Sequence, residues 1–176
     1  KAIESYEKAI TSNSDVMDYA LMQKGFILGL DNRYAEKATT LERMIRDFPQ
    51  STYVEGAMFE LGMTYLRLNR NNDANTIFER LVNEKPNSPY RPKAAMQIAA
   101  IYNNANNFRE ALGWYKKVVD EYPNSPYSQE AISYINKIYI DEYGDNDSWL
   151  AYANSQNLQI NSGEADSTAY AATEVA

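Results

Sequence analysis

The acidic segment DEYGDND, residues 141–147, contains residue types that could bind a metal ion. Closely spaced carboxylates are typical of the calcium-binding loop of helix–loop–helix proteins. That loop also requires a full set of regularly spaced ligands and a closing glutamate at its last position. The segment has neither the full spacing nor the glutamate. We therefore interpret it as a solvated turn.

The composition also excludes several kinds of chemistry, because the 176 residues include no cysteine and no histidine. Thiol nucleophiles, disulfides, Cys/His zinc sites and the commonest general base are therefore absent. Carboxylates such as Glu42, Glu79 and Glu110 are scattered over predicted helix surfaces, with no nucleophile or base beside them. A helical hydrolase would need paired acids in a cleft, and none are apparent. We predict a protein that is not an enzyme and uses no metal or cofactor.

The charge and hydropathy of the chain exclude two classes of partner. There are 17 lysines and arginines against 24 acids, so the net charge is −7. This is the wrong sign for binding nucleic acid or anionic lipid surfaces. No run approaches the roughly 18 apolar residues of a membrane span. With 44% hydrophobic residues, the chain can nevertheless bury a substantial core.

A hexapeptide motif returns along the chain with a period of 37 residues: FPQSTY from residue 48, KPNSPY from 85 and YPNSPY from 122. Columns of alanine, asparagine, aromatic, aliphatic and proline residues keep the same step. They are Ala20, Ala57, Ala94 and Ala131; Asn32, Asn69 and Asn106; Tyr65, Tyr102 and Tyr139; Leu41, Phe78, Tyr115 and Tyr152; Ile45, Val82 and Val119; and Pro49, Pro86 and Pro123. Such self-similarity indicates a repeat architecture.

Each unit is predicted to contain two helices, which we call helix A and helix B. The segment YVEGAMFELGMTYLRL at 53–68 spaces apolar residues three and four positions apart, which is the helical period. The segment FREALGWYKKVVDEY at 108–122 has the same period and supplies a helix B. The asparagine column lies between the two helices, and asparagine tolerates the left-handed conformation that ends a helix.

The hexapeptide is interpreted as the junction between units. Its proline ends helix B, because proline cannot donate the next helical hydrogen bond. Ser88 and Ser125 are predicted to cap the following helix A, with Pro89 and Pro126 at its first position. The tyrosines that close the motif are predicted to fold back on the preceding helix B. They are Tyr53, Tyr90 and Tyr127.

These spaced residues resemble tetratricopeptide repeats (TPRs). The matching positions are Leu61, Gly62, Tyr65, Ala74, Phe78 and Pro86, and then Ile98, Ala99, Tyr102, Phe108, Ala111, Tyr115 and Pro123. The usual TPR unit has about 34 residues, and the longer unit with its YP-x-S-x-Y junction resembles periplasmic Tol–Pal accessory proteins and outer-membrane assembly lipoproteins. The resemblance implies an all-α fold, a TPR-like α-α superhelix of antiparallel helix pairs with a 37-residue period.

The domain organisation expected from this resemblance is a slice of a longer array. The segments are helix B of a truncated repeat at 1–14, repeats at 15–50, 51–87 and 88–124, a degenerate repeat at 125–156, a connector at 157–163, and the start of a further helix A at 164–176. We expect self-association through the exposed end repeats, since solenoids need polar capping units.

The resemblance implies a non-enzymatic scaffold that binds a protein or peptide in the bacterial cell envelope, periplasmic or associated with the outer membrane. The alternative is a cytoplasmic TPR adaptor that clamps the C-terminal carboxylate of a partner's peptide. Such a clamp needs Lys, Arg and Asn converging from the A helices, whereas the inner positions here are mostly apolar. The identity of the partner does not follow from the family.

The family's inner A-helix positions define a candidate partner groove. Its residues are Tyr19, Met22, Phe26, Phe59, Met63, Leu66, Arg67, Lys93 and Met96, with Gly29, Leu30, Gly56, Ala100, Asn103 and Asn104 as further inner positions. One interpretation is that this strip packs between A helices as core. The other is an adaptable groove for an amphipathic helix or an extended peptide. Exposure of Phe59, Met63 and Leu66 should distinguish the two.

Two expectations concern packing. Ala57, Ala94 and Ala131 should lie where neighbouring helices approach closely, because alanine, a small residue, recurs at this position in each repeat. Trp114 lies off the apolar face of its helix and should be partly exposed.

Overall fold

The computed structural model describes residues 3–7 and 16–158. These residues form helices and short turns, and no strand occurs among them, as predicted. Residues 3–7 are helical. The helices that follow are α1 (Met17–Leu30), α2 (Tyr34–Asp47), α3 (Val54–Arg67), α4 (Asn71–Glu84), α5 (Arg91–Asn104), α6 (Phe108–Glu121), α7 (Pro126–Lys137), a π-helical turn (Ile138–Glu142) and α8 (Asn146–Ser155).

The connections inside the helix pairs confirm the interpretation of the asparagine column. Three residues join α1 to α2, α3 to α4, and α5 to α6. Asn32, Asn69 and Asn106 each have a φ of 57°, the left-handed conformation in which asparagine is tolerated. The residue after each asparagine returns its N–H to the last turn of helix A, as Arg70 does to the Tyr65 carbonyl over 2.8 Å. This closure satisfies a carbonyl that the helix end would leave unpaired.

The chain divides into two compact units, residues 1–101 and 102–176. In the first, α1 to α4 pack each against the next along the chain. Their shared core contains Leu28, Leu41, Met44, Ala57 and Phe78, all fully buried. Gly62 allows α3 and α4 to approach closely, because a Cβ at this position would overlap the ring of Phe78.

The second unit contains α6, α7, the π-helical turn and α8. Tyr115, which is fully buried, stacks on Tyr134 with ring centroids 4.9 Å apart. The ammonium of Lys116 donates to the Tyr139 hydroxyl over 2.8 Å and lies 5.0 Å from the centroid of the Tyr152 ring. Aromatic contacts and the Lys116 ammonium therefore add to the buried aliphatic core of this unit, which includes Val118, Ile135 and Ile138.

The acidic segment at 141–147 forms the junction before α8. The Asp145 carboxylate accepts a 3.0 Å hydrogen bond from the N–H of Ser148 and caps the helix, which lowers the pKa of Asp145. Gly144 has a φ of 62°, a conformation that glycine adopts without strain. The described carboxylates form no cluster that could hold a metal ion. The predicted turn is shorter than the acidic segment: it comprises residues 143–145, because Asp141 and Glu142 lie in the π-helical turn and Asn146 begins α8.

The junction hexapeptides follow the prediction in part. The Ser88 hydroxyl accepts from the N–H of Tyr90 over 3.3 Å. Because Tyr90 precedes α5, this bond closes the turn before the helix and does not provide the helix cap that the sequence predicts. Ser125 stands at the N-cap with Pro126 at the first helical position, but its side chain accepts no bond from the helix. The position predicted for Pro89 is wrong. Because the N–H of Arg91 bonds to the Ser88 carbonyl in a tight turn, α5 begins at Arg91, after the proline.

The prediction for the junction tyrosines is also wrong where the structure shows their ring contacts. The ring of Tyr53 packs on Tyr19 of α1 with centroids 5.7 Å apart. Tyr90 stacks on Phe59 of α3 at 5.6 Å. Both rings thus lie on the preceding helix A rather than helix B, because an aromatic residue there offers a face for stacking.

Parts of the predicted domain organisation lie outside the described residues. These include most of the truncated helix B at 1–14 and nearly all of the segments at 157–163 and 164–176. The described helices are 14 residues or shorter, and none of them has the length and apolar composition to cross a membrane.

Candidate functional site

An apolar stripe runs along α1. Tyr19, Met22, Phe26 and Leu30 are three, four and four residues apart, so they project from one face of the helix. The exposed fractions of Tyr19, Phe26 and Leu30 are 44%, 59% and 67%. Met22 is half-buried. Eleven residues of helix span about 16 Å, so this stripe presents a long apolar surface to solvent.

A pocket of about 130 Å³ opens beside the stripe. It lies between α1, α2 and α3, and Tyr90 from the next junction closes one side. Its lining residues are Met22, Phe26, Lys37, Leu41, Gly56, Glu60 and Tyr90. Gly56 keeps the pocket open, because a Cβ there would lie 3.3 Å from the Tyr90 hydroxyl and 3.8 Å from the Met22 methyl group. The pocket is therefore mainly apolar, with one charged pair in its wall.

That charged pair is Lys37 and Glu60, whose ammonium and carboxylate are 2.6 Å apart. The Lys37 side chain is only 12% exposed and that of Glu60 is 43% exposed. Gly29 makes room for the lysine, since a Cβ at that position would meet the Lys37 nitrogen at 3.2 Å. A buried ammonium needs such a partner, because removing an isolated charge from water is costly. The wall of the pocket is thus electrically neutral.

Lys37 departs from the repeat at this place. The residues that follow it at the 37-residue period are Ala74 and Ala111, and both are fully buried. Likewise, the positions equivalent to Gly29 in the next two repeats are occupied by Leu66 and Asn103. The charged part of the pocket wall therefore depends on two positions, 29 and 37, at which the first repeat differs from the later ones.

The remaining residues of the predicted groove divide between core and surface. Phe59 and Met96 are only 4% and 5% exposed, so they pack as core. Phe59 lies between the Tyr90 ring and the Lys93 ammonium, which is 4.6 Å from its centroid. Met63 and Leu66 are half-buried, while Arg67 and Lys93 are exposed. The structure gathers Met22 and Phe26 at the pocket, and places Tyr19 on the same helix face.

Sequence reasoning missed Lys37, Leu41, Glu60 and Tyr90 as lining residues of the pocket. Lys37 could have been found, because it interrupts a column of small residues. The sequence predicts that Tyr90 packs on helix B, and nothing in the periodicity indicates that its ring stacks on Phe59. Glu60 carries no sequence signal, since its role depends on the position of Lys37 in a different unit.

The helix pairs, their three-residue turns and the buried glycine and alanine positions are features of a known repeat family. The family model described as tetratricopeptide repeat matches residues 19–51, 56–88 and 93–125. The chain belongs to the tetratricopeptide repeat family. TPR proteins are interaction scaffolds, and the resemblance to TPRs inferred from the sequence is confirmed. No curated protein sequence matches the chain.

Solved TPR structures share the fold. The crystal structure of MamA superposes with a TM-score of 0.67 at 15% identity, over 88% of this chain and 84% of that one. YrrB, a TPR protein with an unusual peptide-binding site, gives 0.63 at 18% identity over 88% and 74%. The pilF protein of Pseudomonas aeruginosa gives 0.62 at 18% identity over 86% and 64%. The predicted fold class, all-α and TPR-like with helices packed in adjacent pairs, is confirmed.

Proposed function

We propose that this TPR chain is a non-enzymatic scaffold of the bacterial cell envelope that binds a partner protein on the α1 stripe and its pocket. The observation that carries the proposal is the exposure of Tyr19, Phe26 and Leu30 beside a pocket. Covering one such side chain on binding is worth about 1.5–3 kcal/mol. Aromatic residues grouped around a pocket are the usual centres of binding energy at protein interfaces.

The α3 part of the predicted groove has a different role in this proposal. Met63 and Leu66 are half-buried and extend the apolar surface, and Arg67 and Lys93 supply charge at its border. Phe59 and Met96 are buried and belong to the core. A rigid core favours binding, because less conformational freedom is lost when the partner docks.

The absence of catalysis is part of the proposal. It rests on a chain without histidine or cysteine and on the use of the ordered carboxylates in structural bonds. Glu60 pairs with Lys37, Glu42 accepts from Tyr65 and Asp145 caps a helix. A catalytic acid or base needs a proton-transfer partner in a cleft, and these groups are already engaged with the fold.

The test of the binding surface is site-specific photo-crosslinking in cells that express the full-length protein. A photoreactive amino acid replaces Phe26 in one variant and Tyr143, an exposed aromatic residue of the second unit, in the control. We expect a discrete crosslinked protein, identified by mass spectrometry, at position 26 and not at 143. Equal crosslinking patterns at both positions would contradict the proposal.

The placement in the envelope is supported by the resemblance of the junction motif to periplasmic TPR proteins. Fractionation of cells that express the full-length protein tests it. We expect the protein in the periplasmic or outer-membrane fraction. Recovery with a cytoplasmic marker would favour the alternative, a cytoplasmic adaptor for a partner's peptide. Self-association through the end repeats stays a prediction.

A further inference from the structure

We infer that the occupant of the stripe is an amphipathic helix that inserts one neutral apolar side chain into the pocket formed by Met22, Phe26, Leu41 and Tyr90 beside the Lys37–Glu60 pair. The inference rests on the proposed function, because it assumes that this surface binds a protein. It goes further in naming the chemistry of the partner: a helix rather than an extended peptide, with an uncharged anchor rather than a carboxylate.

The size and lining of the pocket select the anchor. Its volume is about 130 Å³, close to the ~150 Å³ of an apolar cavity that accommodates benzene. Met22 and Leu41 offer aliphatic contact, and Phe26 and Tyr90 offer aromatic edges and faces. A leucine, methionine or phenylalanine side chain fits such a space. Methionine adjusts to the shape of its guest, because its thioether chain is flexible and polarizable.

The charges in the wall exclude a carboxylate anchor. The ammonium of Lys37 is held 2.6 Å from the Glu60 carboxylate and is mostly buried. An incoming carboxylate would have to displace Glu60 or lie beside it, and two neighbouring carboxylates repel each other. An incoming ammonium would lose its hydration and gain little in return, because the Glu60 carboxylate is already paired with Lys37. A neutral side chain avoids both penalties.

The conformation of the partner follows from what the surface lacks. The pocket lining contains no asparagine, glutamine, serine or threonine, and the described residues of this unit offer helices rather than a strand edge. An extended peptide would leave its backbone N–H and C=O groups unpaired against this apolar surface, which is costly. A helix satisfies its own backbone groups. Its apolar residues at i, i+3 or i+4, and i+7 also match a stripe about 16 Å long.

The pocket is specific to the junction of the first and second repeats. Lys37 replaces the alanine found at the equivalent positions 74 and 111, and Gly29 provides the space that Lys37 occupies. At the next unit, the position equivalent to Tyr19 is Gly56, over which Tyr90 closes. A single pocket with one anchor residue is therefore expected here, rather than a series of equivalent sites along the repeats.

The experiment is selection from a phage-displayed library of random sixteen-residue peptides against the purified chain. Enriched peptides are then synthesised, and their affinities are measured by fluorescence anisotropy. We expect enriched sequences with leucine, methionine or phenylalanine at helical spacing, and far-UV circular dichroism that gains helicity on binding. Substituting the anchor of the best peptide with aspartate should weaken binding by more than an anchor-to-alanine change, because the carboxylate is repelled as well as poorly packed.

Variants of the protein link the binding to the pocket. Phe26→Ser removes an exposed ring and should preserve the fold, and Gly56→Leu fills the pocket from the α3 side. Each should weaken the peptide by about tenfold or more, as loss of an interface anchor does, whereas the control Tyr143→Ser should leave the affinity unchanged. Thermal melts of each variant confirm folding, and Phe26→Ser alone suffices if Gly56→Leu unfolds.

The outcomes separate the inference from the proposed function. Peptides that are extended, or that require a terminal carboxylate, yet still depend on Phe26 would overturn the inference and leave the binding surface intact. Enriched peptides indifferent to Phe26→Ser, or no enrichment at all, would count against both. A concentration-dependent dimer that Phe26→Ser abolishes in sedimentation would assign the stripe to a second copy of the chain and also overturn the inference.

Discussion

The phenolic hydroxyl of Tyr65 donates a 2.6 Å hydrogen bond to the carboxylate of Glu42. The bond ties α3 to α2, which is helix A of one repeat to helix B of the preceding repeat. The guanidinium carbon of Arg70 lies 4.3 Å from the centroid of the Tyr65 ring. Burial and then the Glu42 carboxylate raise the pKa of Tyr65, because both disfavour the phenolate.

Replacing Tyr65 with phenylalanine should lower the free energy of unfolding by about 1.5–3 kcal/mol, the range for a hydrogen bond to a charged group. The change in the free energy of unfolding is measured by urea unfolding, monitored by circular dichroism. The matched control is Tyr34→Phe, which removes an exposed hydroxyl that bonds to Asn32 over 2.8 Å and should change stability by less than about 0.5 kcal/mol. Equal decreases in the free energy of unfolding for the two variants would show that the bond between repeats stabilises the fold no more than the exposed bond does.

Two glycines in helices should respond to alanine in opposite directions. A Cβ at Gly62 would overlap the ring of Phe78, which is fully buried. Gly62→Ala should therefore destabilise the protein by about 1–3 kcal/mol through overpacking. A Cβ at Gly113 in α6 would meet nothing within 4 Å, so Gly113→Ala should stabilise by about 0.5–1 kcal/mol through backbone entropy. Thermal melts compare the pair, and stabilisation by Gly62→Ala would refute the packing described.

The third prediction concerns Ala94, which is fully buried, as expected from the alanine column. Ala94→Leu should cost about 1–3 kcal/mol, because the larger side chain has no space to occupy. The control is Ala35→Leu on the exposed face of α2, where the effect should stay within about 0.5 kcal/mol. An unchanged urea midpoint for Ala94→Leu would mean that the helices do not pack closely at this alanine.

Alkaline pH should destabilise the fold through Tyr115. Burial, and then the neighbouring Tyr134 and Glu130, raise the pKa of Tyr115 above 10.0, its ordinary value. As the pH rises past about 10, the unfolded chain releases this proton while the folded chain keeps it, so stability decreases with pH. Its contribution is fully present below that pH and is lost as the pH rises toward the raised pKa. Tyr115→Phe should flatten the decline by up to about 1.4 kcal/mol per pH unit.

Urea midpoints at several pH values between about 9 and 11 measure this slope. Because the phenol is protonated in both states at pH 7, comparison of the slopes removes any packing difference between Tyr115→Phe and the wild type. An identical slope in the two proteins would contradict the assignment of the decline to Tyr115.

The two tryptophans should differ in their response to iodide. Trp114 is half-buried, as predicted from its position off the apolar face, whereas Trp149 is 2% exposed. The ammonium of Lys117 lies 4.9 Å from the Trp114 ring centroid and attracts the anion. Iodide should quench one fraction of the fluorescence readily and leave a resistant fraction. Trp149→Phe should remove the resistant fraction, and Trp114→Phe should remove the fraction that is readily quenched. The opposite result would contradict the burial of the two side chains.

The features predicted correctly from the sequence are those that repeat locally. The left-handed asparagines, the buried alanines and the proline stops depend on the backbone within a few residues, so the 37-residue period exposes them. The prediction from the period failed where the sequence departs from it. Tyr143 stands in the asparagine column, and the left-handed residue moves to Gly144 after a π-helical turn, in which one N–H bonds five residues back.

The pocket could not be predicted because its wall combines side chains from separate repeats. Lys37, Glu60 and Tyr90 come from α2, α3 and the following junction. Phe59 is covered because the Tyr90 ring stacks on it. The direction in which a side chain points cannot be read from the period of the sequence. The exposed stripe on α1 was predictable as an inner-face pattern, while the burial of Phe59 and Met96 was not.

The side-chain bonds between helices have consequences for how the chain reaches its fold. Lys37 with Glu60, Tyr65 with Glu42, and Lys116 with Tyr139 each join residues 23 positions apart. Only short loops must close before such contacts form, and chains dominated by near neighbours fold in microseconds to milliseconds. Folding of a repeat array can also nucleate at any unit and propagate. Such a chain can emerge from the ribosome and acquire its packing one helix pair at a time, without waiting for its C-terminus.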